Sequence, residues 1–291
     1  MKPASFEYHV PSTIDEAVEV LGQLGDDAKV IAGGQSLVPM MAMRLSVFGH
    51  LVDIGRIHEL RGVSRRNGSL VVGAATVDTV LEKDTEVAAT VPLLAKVTPM
   101  IGHFQIRNRG TVGGSLAHAD PAAEYPAVAI ALEAQMEVAS TRGTRVVPAA
   151  DFFEGVWTTT LGSDELLTAV HFPVWNGRCG FAAEEFARRH GDFAIAGAVA
   201  GVELDADGVV VRAAIAMFGM GPTPVRAASA ERALVGSVAS AVNNREVGRL
   251  AVSDVEEAPS DLHASASYRS RVAGSLVARA WSRALKEAEN S

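Results

Sequence analysis

Lys29-Val30-Ile31-Ala32-Gly33-Gly34-Gln35-Ser36-Leu37 is the stretch from which the rest of the chain reads. Apolar, β-branched residues run straight into paired glycines, the pattern of a strand that breaks into a turn whose main chain no side chain shields. Upstream, Phe6 to Val10 reads as extended. Pro11-Ser12-Thr13 then leads into Ile14, Ala17, Val18, Leu21 and Leu24, a capped amphipathic helix ending near Gly25. Downstream, Val38 to Leu45 reads as a short buried helix with Met40, Met41 and Met43 as core filler, and Leu51 to Ile54 as another strand.

A second glycine turn, Thr111-Val112-Gly113-Gly114-Ser115, follows Gln105-Ile106-Arg107-Asn108-Arg109-Gly110. Before it lie a strand at Leu70 to Ala74, a brief helix at Asp78 to Glu82, and helical spacing of Leu94, Val97 and Ile101 within Val91 to Phe104. After it, Asp120-Pro121 opens an Ala-rich helix from Ala122 to Ala134, followed by strands at Gln135 to Ala139 and Arg145 to Val147. Pro173 to Gly180 is the best linker, dividing residues 1–175 from 176–291. Beyond it, Ala194 to Leu204 and Val209 to Phe218 read as a hairpin closed by Asp205-Ala206-Asp207-Gly208. Thr223-Pro224 signals a helix start over Val225 to Leu234. Helices at Glu246 to Val255 and Ser267 to Leu285 complete the pattern.

With 291 residues, 48% of them apolar and 21% charged, the chain should form about two compact domains. A net charge of −8 has the wrong sign for a nucleic-acid backbone. The single cysteine, Cys179, can form neither an intrachain disulfide nor an iron–sulfur or zinc centre alone, which points to a reducing compartment. MKPASFEYHVPSTIDEA contains no apolar run of signal-peptide length, and no stretch approaches the roughly 20 apolar residues of a membrane span. The expectation is a cytoplasmic protein with no membrane span.

Paired bare turns can hold a diphosphate through main-chain N–H groups without excess basic residues. At about 1.5 to 3 kcal/mol per hydrogen bond to a charged group, a handful reaches the micromolar range near −8 kcal/mol. Neither turn is a G-x-G-x-x-G or a G-x-x-x-x-G-K-[ST], which demotes NAD-fold dehydrogenases and P-loop kinases. Arg107 and Arg109 are open between ion pairing and phosphate contact. His118, Asp120 and Glu124 read as solvated or capping groups, and no metal is expected. No nucleophile, acid or base stands out, so no catalytic side chain is assigned.

The two turns resemble, in order and separation, the flavin loops of the FAD-binding medium subunit of the carbon monoxide dehydrogenase and xanthine dehydrogenase family of molybdenum hydroxylases. Ala119-Asp120-Pro121-Ala122-Ala123-Glu124, Arg188-Arg189-His190-Gly191-Asp192-Phe193-Ala194 and Gly219-Met220-Gly221-Pro222-Thr223-Pro224-Val225-Arg226 extend the likeness along essentially the whole chain. The resemblance implies an α+β fold: a two-lobed FAD-binding domain, its lobes split near 55–60, then a C-terminal domain of antiparallel sheet plus helices. FAD would lie between the lobes. Lys29, Val30, Ile31, Ala32, Gly33, Gly34, Gln35, Ser36 and Leu37, with Thr111, Val112, Gly113, Gly114 and Ser115, would surround its diphosphate and ribityl chain, mostly through N–H groups. Ile101, Asp120, Glu124 and Leu167 match cofactor-lining positions, and Phe193 a position beside the isoalloxazine ring.

The implied activity is that of an oxidoreductase subunit whose FAD passes electrons from 2Fe–2S clusters on a small partner subunit to an external acceptor. Molybdopterin would sit on a large partner subunit, the whole forming a dimer of heterotrimers. Some positions depart from relatives: Glu124 stands where Asp is common, and Glu184 where some carry a Lys near the cofactor. The alternatives are a stand-alone FAD-dependent oxidoreductase of the same fold and a flavin-free assembly subunit. Intact glycines in both turns argue against the latter.

Overall fold

The computed structural model describes residues 2–291. The chain begins with β1 (Glu7–His9), α1 (Ile14–Leu24), β2 (Ala28–Ile31), α2 (Leu37–Ala42) and β3 (His50–Asp53). The three strands form a parallel sheet in the order β1-β3-β2, and α1 lays Ala17, Val18 and Leu21 into a small core with Val52 and Ile54. Thr13 caps α1 by accepting from the Glu16 N–H, and Gly25 ends it at positive φ.

Past the 3₁₀ turns Ile54–Arg56 and His58–Leu60 come β4 (Val63–Arg66) and β5 (Ser69–Gly73). Then follow α3 (Asp78–Lys83), α4 (Thr85–Thr90), α5 (Pro92–Val97), α6 (Phe104–Arg107), α7 (Val112–His118) and α8 (Glu124–Ala131). β6 (Gln135–Ser140), β7 (Gly143–Pro148), the short pair β8 (Phe153–Gly155) and β9 (Thr158–Thr159), and β10 (Leu166–Pro173) complete this part. The larger sheet has the order β4-β5-β10-β6-β7, so β10 is its central strand.

The last part comprises β11 (Arg178–Phe186), β12 (Ala196–Leu204), β13 (Val210–Phe218), β14 (Val225–Arg226), α9 (Ala228–Leu234), α10 (Asn244–Val252) and α11 (Ala266–Glu289). Its four-stranded antiparallel sheet runs β11-β12-β13-β14. Strand alternation divides its two faces. Phe181, Ala183, Val199, Ala214 and Phe218 join the core shared with α5, α8 and the five-stranded sheet, while Ala182, Ala198, Ile215 and Met217 pack with Leu276, Ala280 and Trp281 of α11. Between the sheets, α8 is buried from Tyr125 to Ala131, which explains a helix apolar all round. The architecture is α+β.

Several local expectations need correction. Only Met41 of the methionine cluster is core, and Met43 is exposed, because α2 stops at Ala42. The helix expected over 91–104 breaks into α5, a 3₁₀ turn and α6, since Pro99 lacks a donor and Gly102 takes positive φ. The Ala-rich helix is shorter, Glu124–Ala131. Thr223-Pro224 starts no helix: Val225 and Arg226 pair with Met217 and Ala216 as β14, and α9 begins at Ala228. Of the stretch Pro173 to Gly180 only 174–177 lie outside strands, because Pro173 ends β10 and β11 begins at Arg178.

Candidate functional site

The first glycine turn joins the end of β2 to α2, whereas the second stretch is a helix start: Thr111 is the N-cap of α7 and Val112 to Ser115 form its first turn. They meet. A Cβ built on Gly33 would stand 2.1 Å from the Arg109 carbonyl oxygen and 2.9 Å from the Gly110 Cα, and one on Gly114 would lie 3.6 Å from the Ala32 Cβ. Gly34, at φ 70°, makes the reversal that delivers the chain into α2.

The donors of the two turns have different fates. Among the described residues the N–H groups of Gly33, Gly34, Gln35 and Ser36 meet no protein acceptor, although the Gly34 and Ser36 carbonyls accept from Val38 and Met40. The Gln35 side-chain amide donates back to the Gly33 carbonyl at 3.0 Å and holds the loop open. In the second turn, Val112 N–H donates to the Thr76 carbonyl, Gly113 N–H to Ala74, and Ser115 N–H to Thr111. Gly114 N–H is capped by the Thr111 hydroxyl at 3.0 Å. The second turn is therefore a rigid wall: Thr111, Val112 and Gly113 are buried, leaving Gly114 and Ser115 at the surface. Gly113 is required because a Cβ there would stand 2.4 Å from the Ala74 Cβ. Free consecutive N–H groups, the unpaired Ser36 and Ser115 hydroxyls and a side-chain-free junction form a donor set that fits a diphosphate.

Arg107 is a structural residue, buried and forked onto Glu82 at 2.9 and 3.2 Å while donating to the Ile101 and Gly102 carbonyls. That fork fixes the loop before the second turn. Arg109 is exposed and in no ion pair among the described residues, which leaves it free beside the junction.

Residues 4–175 match the family described as the FAD binding domain in molybdopterin dehydrogenase, and residues 181–284 match the CO dehydrogenase flavoprotein C-terminal domain. The chain belongs to this family of FAD-binding medium subunits. It is 39% identical over 288 residues to the 6-hydroxypseudooxynicotine dehydrogenase complex subunit alpha of Paenarthrobacter nicotinovorans, covering 99% of this chain and 97% of that one. Its fold matches a carbon monoxide dehydrogenase structure from Hydrogenophaga pseudoflava with a TM-score of 0.93 at 40% identity, covering 99% of both chains. Quinoline 2-oxidoreductase from Pseudomonas putida 86 gives 0.92 at 37% identity, again over 99% of both.

Around the junction of this medium subunit the other sequence-derived positions fall into distinct settings. Asp120 accepts from the Ala122 N–H and from the Trp157 indole, whose ring stacks on His118, so it shapes the turn into α8. Ile101 is half-buried, Leu167 is sealed in the core of β10, and Phe193 stands out 69% exposed on the loop between β11 and β12. An apolar ring this exposed has no packing role in the chain alone.

Glu124, at the start of α8, is pushed up to about 8 by burial first and then by the nearby charge of Glu185. Burial also raises Glu185 to about 7. Glu184 faces the other way. Its carboxylate is nearly buried under Arg279 and Arg283 of α11, the latter at 2.5 Å. Alternation along β11 turns Glu185, not Glu184, toward Glu124. Sequence reasoning also missed Asp78, 3% exposed, with Oδ1 unpaired and its carboxyl raised to about 7 by burial against the partial relief of Arg107. Its N–H donates to the Gly110 carbonyl, beneath the second turn. An acidic side chain at a helix start reads as an ordinary cap, so nothing in the sequence marks it.

Proposed function

We propose that this medium subunit holds one FAD across the junction of its glycine turns and relays electrons from 2Fe–2S clusters on a small partner subunit to an external acceptor. A large molybdopterin-bearing subunit would oxidise the substrate, with the assembly a dimer of heterotrimers in the cytoplasm. The observation that carries this is the run of unpaired N–H groups from Gly33 to Ser36 set against Arg109 and Gly110.

Bound FAD would supply the exchange between one-electron donors and a two-electron acceptor. The chain's own residues bind and orient. Gly33 to Ser36 would donate to the diphosphate, and Ser36 and Ser115 hydroxyls would add donors at its flanks. Phe193 would cover a ring face and exclude water there. Glu124, protonated at neutral pH by its raised pKa, would present an O–H donor rather than a charge.

The polypeptide offers no route for the iron–sulfur relay. Cys179 is half-buried, its thiol raised to about 11 chiefly by burial, and its Sγ donates to the Asn176 carbonyl. The clusters must therefore be a partner's. A relative that is itself the medium chain of a carbon monoxide dehydrogenase, from Hydrogenophaga pseudoflava, supports a place in a complex.

The test is the visible spectrum of the purified chain before and after incubation with FAD. Uptake of one flavin per chain, with no reduction by small substrates until partner subunits are added, is the expected result. A colourless chain that takes up no FAD overturns the proposal. A flavin-loaded chain that turns over a small substrate alone would establish the stand-alone oxidoreductase instead.

A further inference from the structure

We propose that Glu7, His9 and His50 form a binding site for a zinc-class divalent ion that straps the N-terminal strand to its sheet. The site lies outside the flavin junction and does not depend on the flavin reading.

The placement follows from strand pairing. Glu7 and His9 are two apart on β1 and so share a face, and β1 pairs in parallel with β3 in the register Glu7 opposite His50. The His9 Nε2 and His50 Nδ1 atoms are 3.0 Å apart, and a Glu7 carboxylate oxygen is 3.6 Å from the same His50 nitrogen. The three ligand atoms all lie within 4.8 Å of one another. Zinc bonds of about 2.0 to 2.2 Å at tetrahedral angles place neighbouring ligands about 3.4 Å apart, between the two shorter separations. Both rings are half-buried, and Glu7 is exposed, so its side chain can close the third distance at little cost.

The second nitrogen of His50 supports the assignment. His50 Nε2 faces Asp27 Oδ2 at 3.7 Å, while Asp27 Oδ1 accepts from the Gly49 N–H at 3.0 Å. A carboxylate behind the ring of a ligating histidine fixes its orientation and raises its basicity, the usual outer shell of a zinc site. Two imidazoles and one carboxylate select ions such as Zn²⁺ over Mg²⁺ or Ca²⁺, which need more oxygen ligands. The three protein ligands leave coordination positions for water.

β1 is an edge strand of three residues, with Phe6, Tyr8 and Val10 exposed around it. An ion joining Glu7 and His9 to His50 would hold that strand on β3, the central strand of the sheet whose other edge, β2, delivers the first glycine turn.

The experiment is a calorimetric titration of the full chain, carrying no histidine tag, with ZnCl₂, followed by limited proteolysis of the N-terminal segment with and without the ion. One ion per chain is expected, unaffected by millimolar Mg²⁺, with slower cleavage near β1. His9→Ala and Glu7→Gln, both at the surface, should each weaken binding at least tenfold, and Asp27→Asn by about tenfold through His50. Absence of one-to-one binding, or unchanged affinity in His9→Ala and Glu7→Gln, overturns the proposal.

Discussion

Gly33 and Arg109 touch main chain to main chain: the position of a Cβ on Gly33 coincides with contact at 2.1 Å from the Arg109 carbonyl oxygen. Two segments distant in sequence thereby meet with nothing between them. Gly33→Ala forces them apart. Overpacking of this kind costs about 1 to 3 kcal/mol, a shift of a few degrees in Tm for a chain of this size. Flavin retention should suffer far more, with FAD affinity down at least tenfold by absorbance titration. Unchanged affinity would mean that the junction does not hold the diphosphate.

The glycines of the second turn should separate. Gly113 packs inside, against Ala74, whereas Gly114 faces the open junction near Ala32. Gly113→Ala is expected to destabilise the flavin-free chain by about 1 to 3 kcal/mol, read as a lower denaturation midpoint. Gly114→Val should keep a folded chain and lose FAD, because its branched side chain fills the gap toward Ala32. It also crowds the Thr111 hydroxyl that caps α7, a loss of about 0.5 to 2 kcal/mol. Stoichiometric flavin in purified Gly114→Val would contradict a binding role for this turn.

The neighbouring acids of β11 make a second pair of opposites. Glu184→Gln removes the charge under Arg279 and Arg283, which are themselves largely exposed, so the loss of stability should be about 1 kcal/mol and weaken at high salt. It should leave the flavin spectrum alone. Glu185→Gln removes a like charge beside Glu124, so the Glu124 pKa should fall from about 8. A pH titration of flavin absorbance should show its midpoint moved downward in this variant, and an identical midpoint would place Glu185 away from the cofactor.

Legibility in the sequence followed the range of the signal. Thr13 with its amphipathic stripe, and Asp205 to Gly208 between apolar runs, are local patterns and were readable; Asp205 Oδ1 indeed accepts from Asp207 and Val209 within the hairpin turn. The central strand β10 was not, because Leu166 to Phe172 is buried almost throughout and lacks the alternation that marks a half-exposed strand. Nor was β11, where Gly, Ala and Glu dilute β-propensity. Without β11 in view, the sequence also did not tell which of Glu184 and Glu185 faces Glu124. The glycine turns were visible as candidates. The engagement of Val112 and Gly113 N–H groups by Thr76 and Ala74 was not, since it depends on a tertiary pairing. The Glu7, His9 and His50 cluster likewise exists only once β1 lies on β3.

Asp78 should make the protein less stable as pH rises. Its native pKa, raised from 3.8 to about 7, means that the folded chain holds a proton which the unfolded chain has already released between about pH 4 and pH 7. Stability is then fullest below that window and declines across it. Each unit corresponds to about 1.4 kcal/mol, so about 2 to 4 kcal/mol is at stake for a group this buried. Asp78→Asn cannot ionise and should match the parent near pH 4 while exceeding it by that amount at pH 8. Glu124 and Glu185, also raised, tilt the curve in the same direction, so the variant's profile should flatten without becoming level. Urea midpoints at pH 5 and pH 8 measure the difference. Equal pH dependence in both proteins would show that Asp78 is ionised in the native state, with Arg107 compensating its burial.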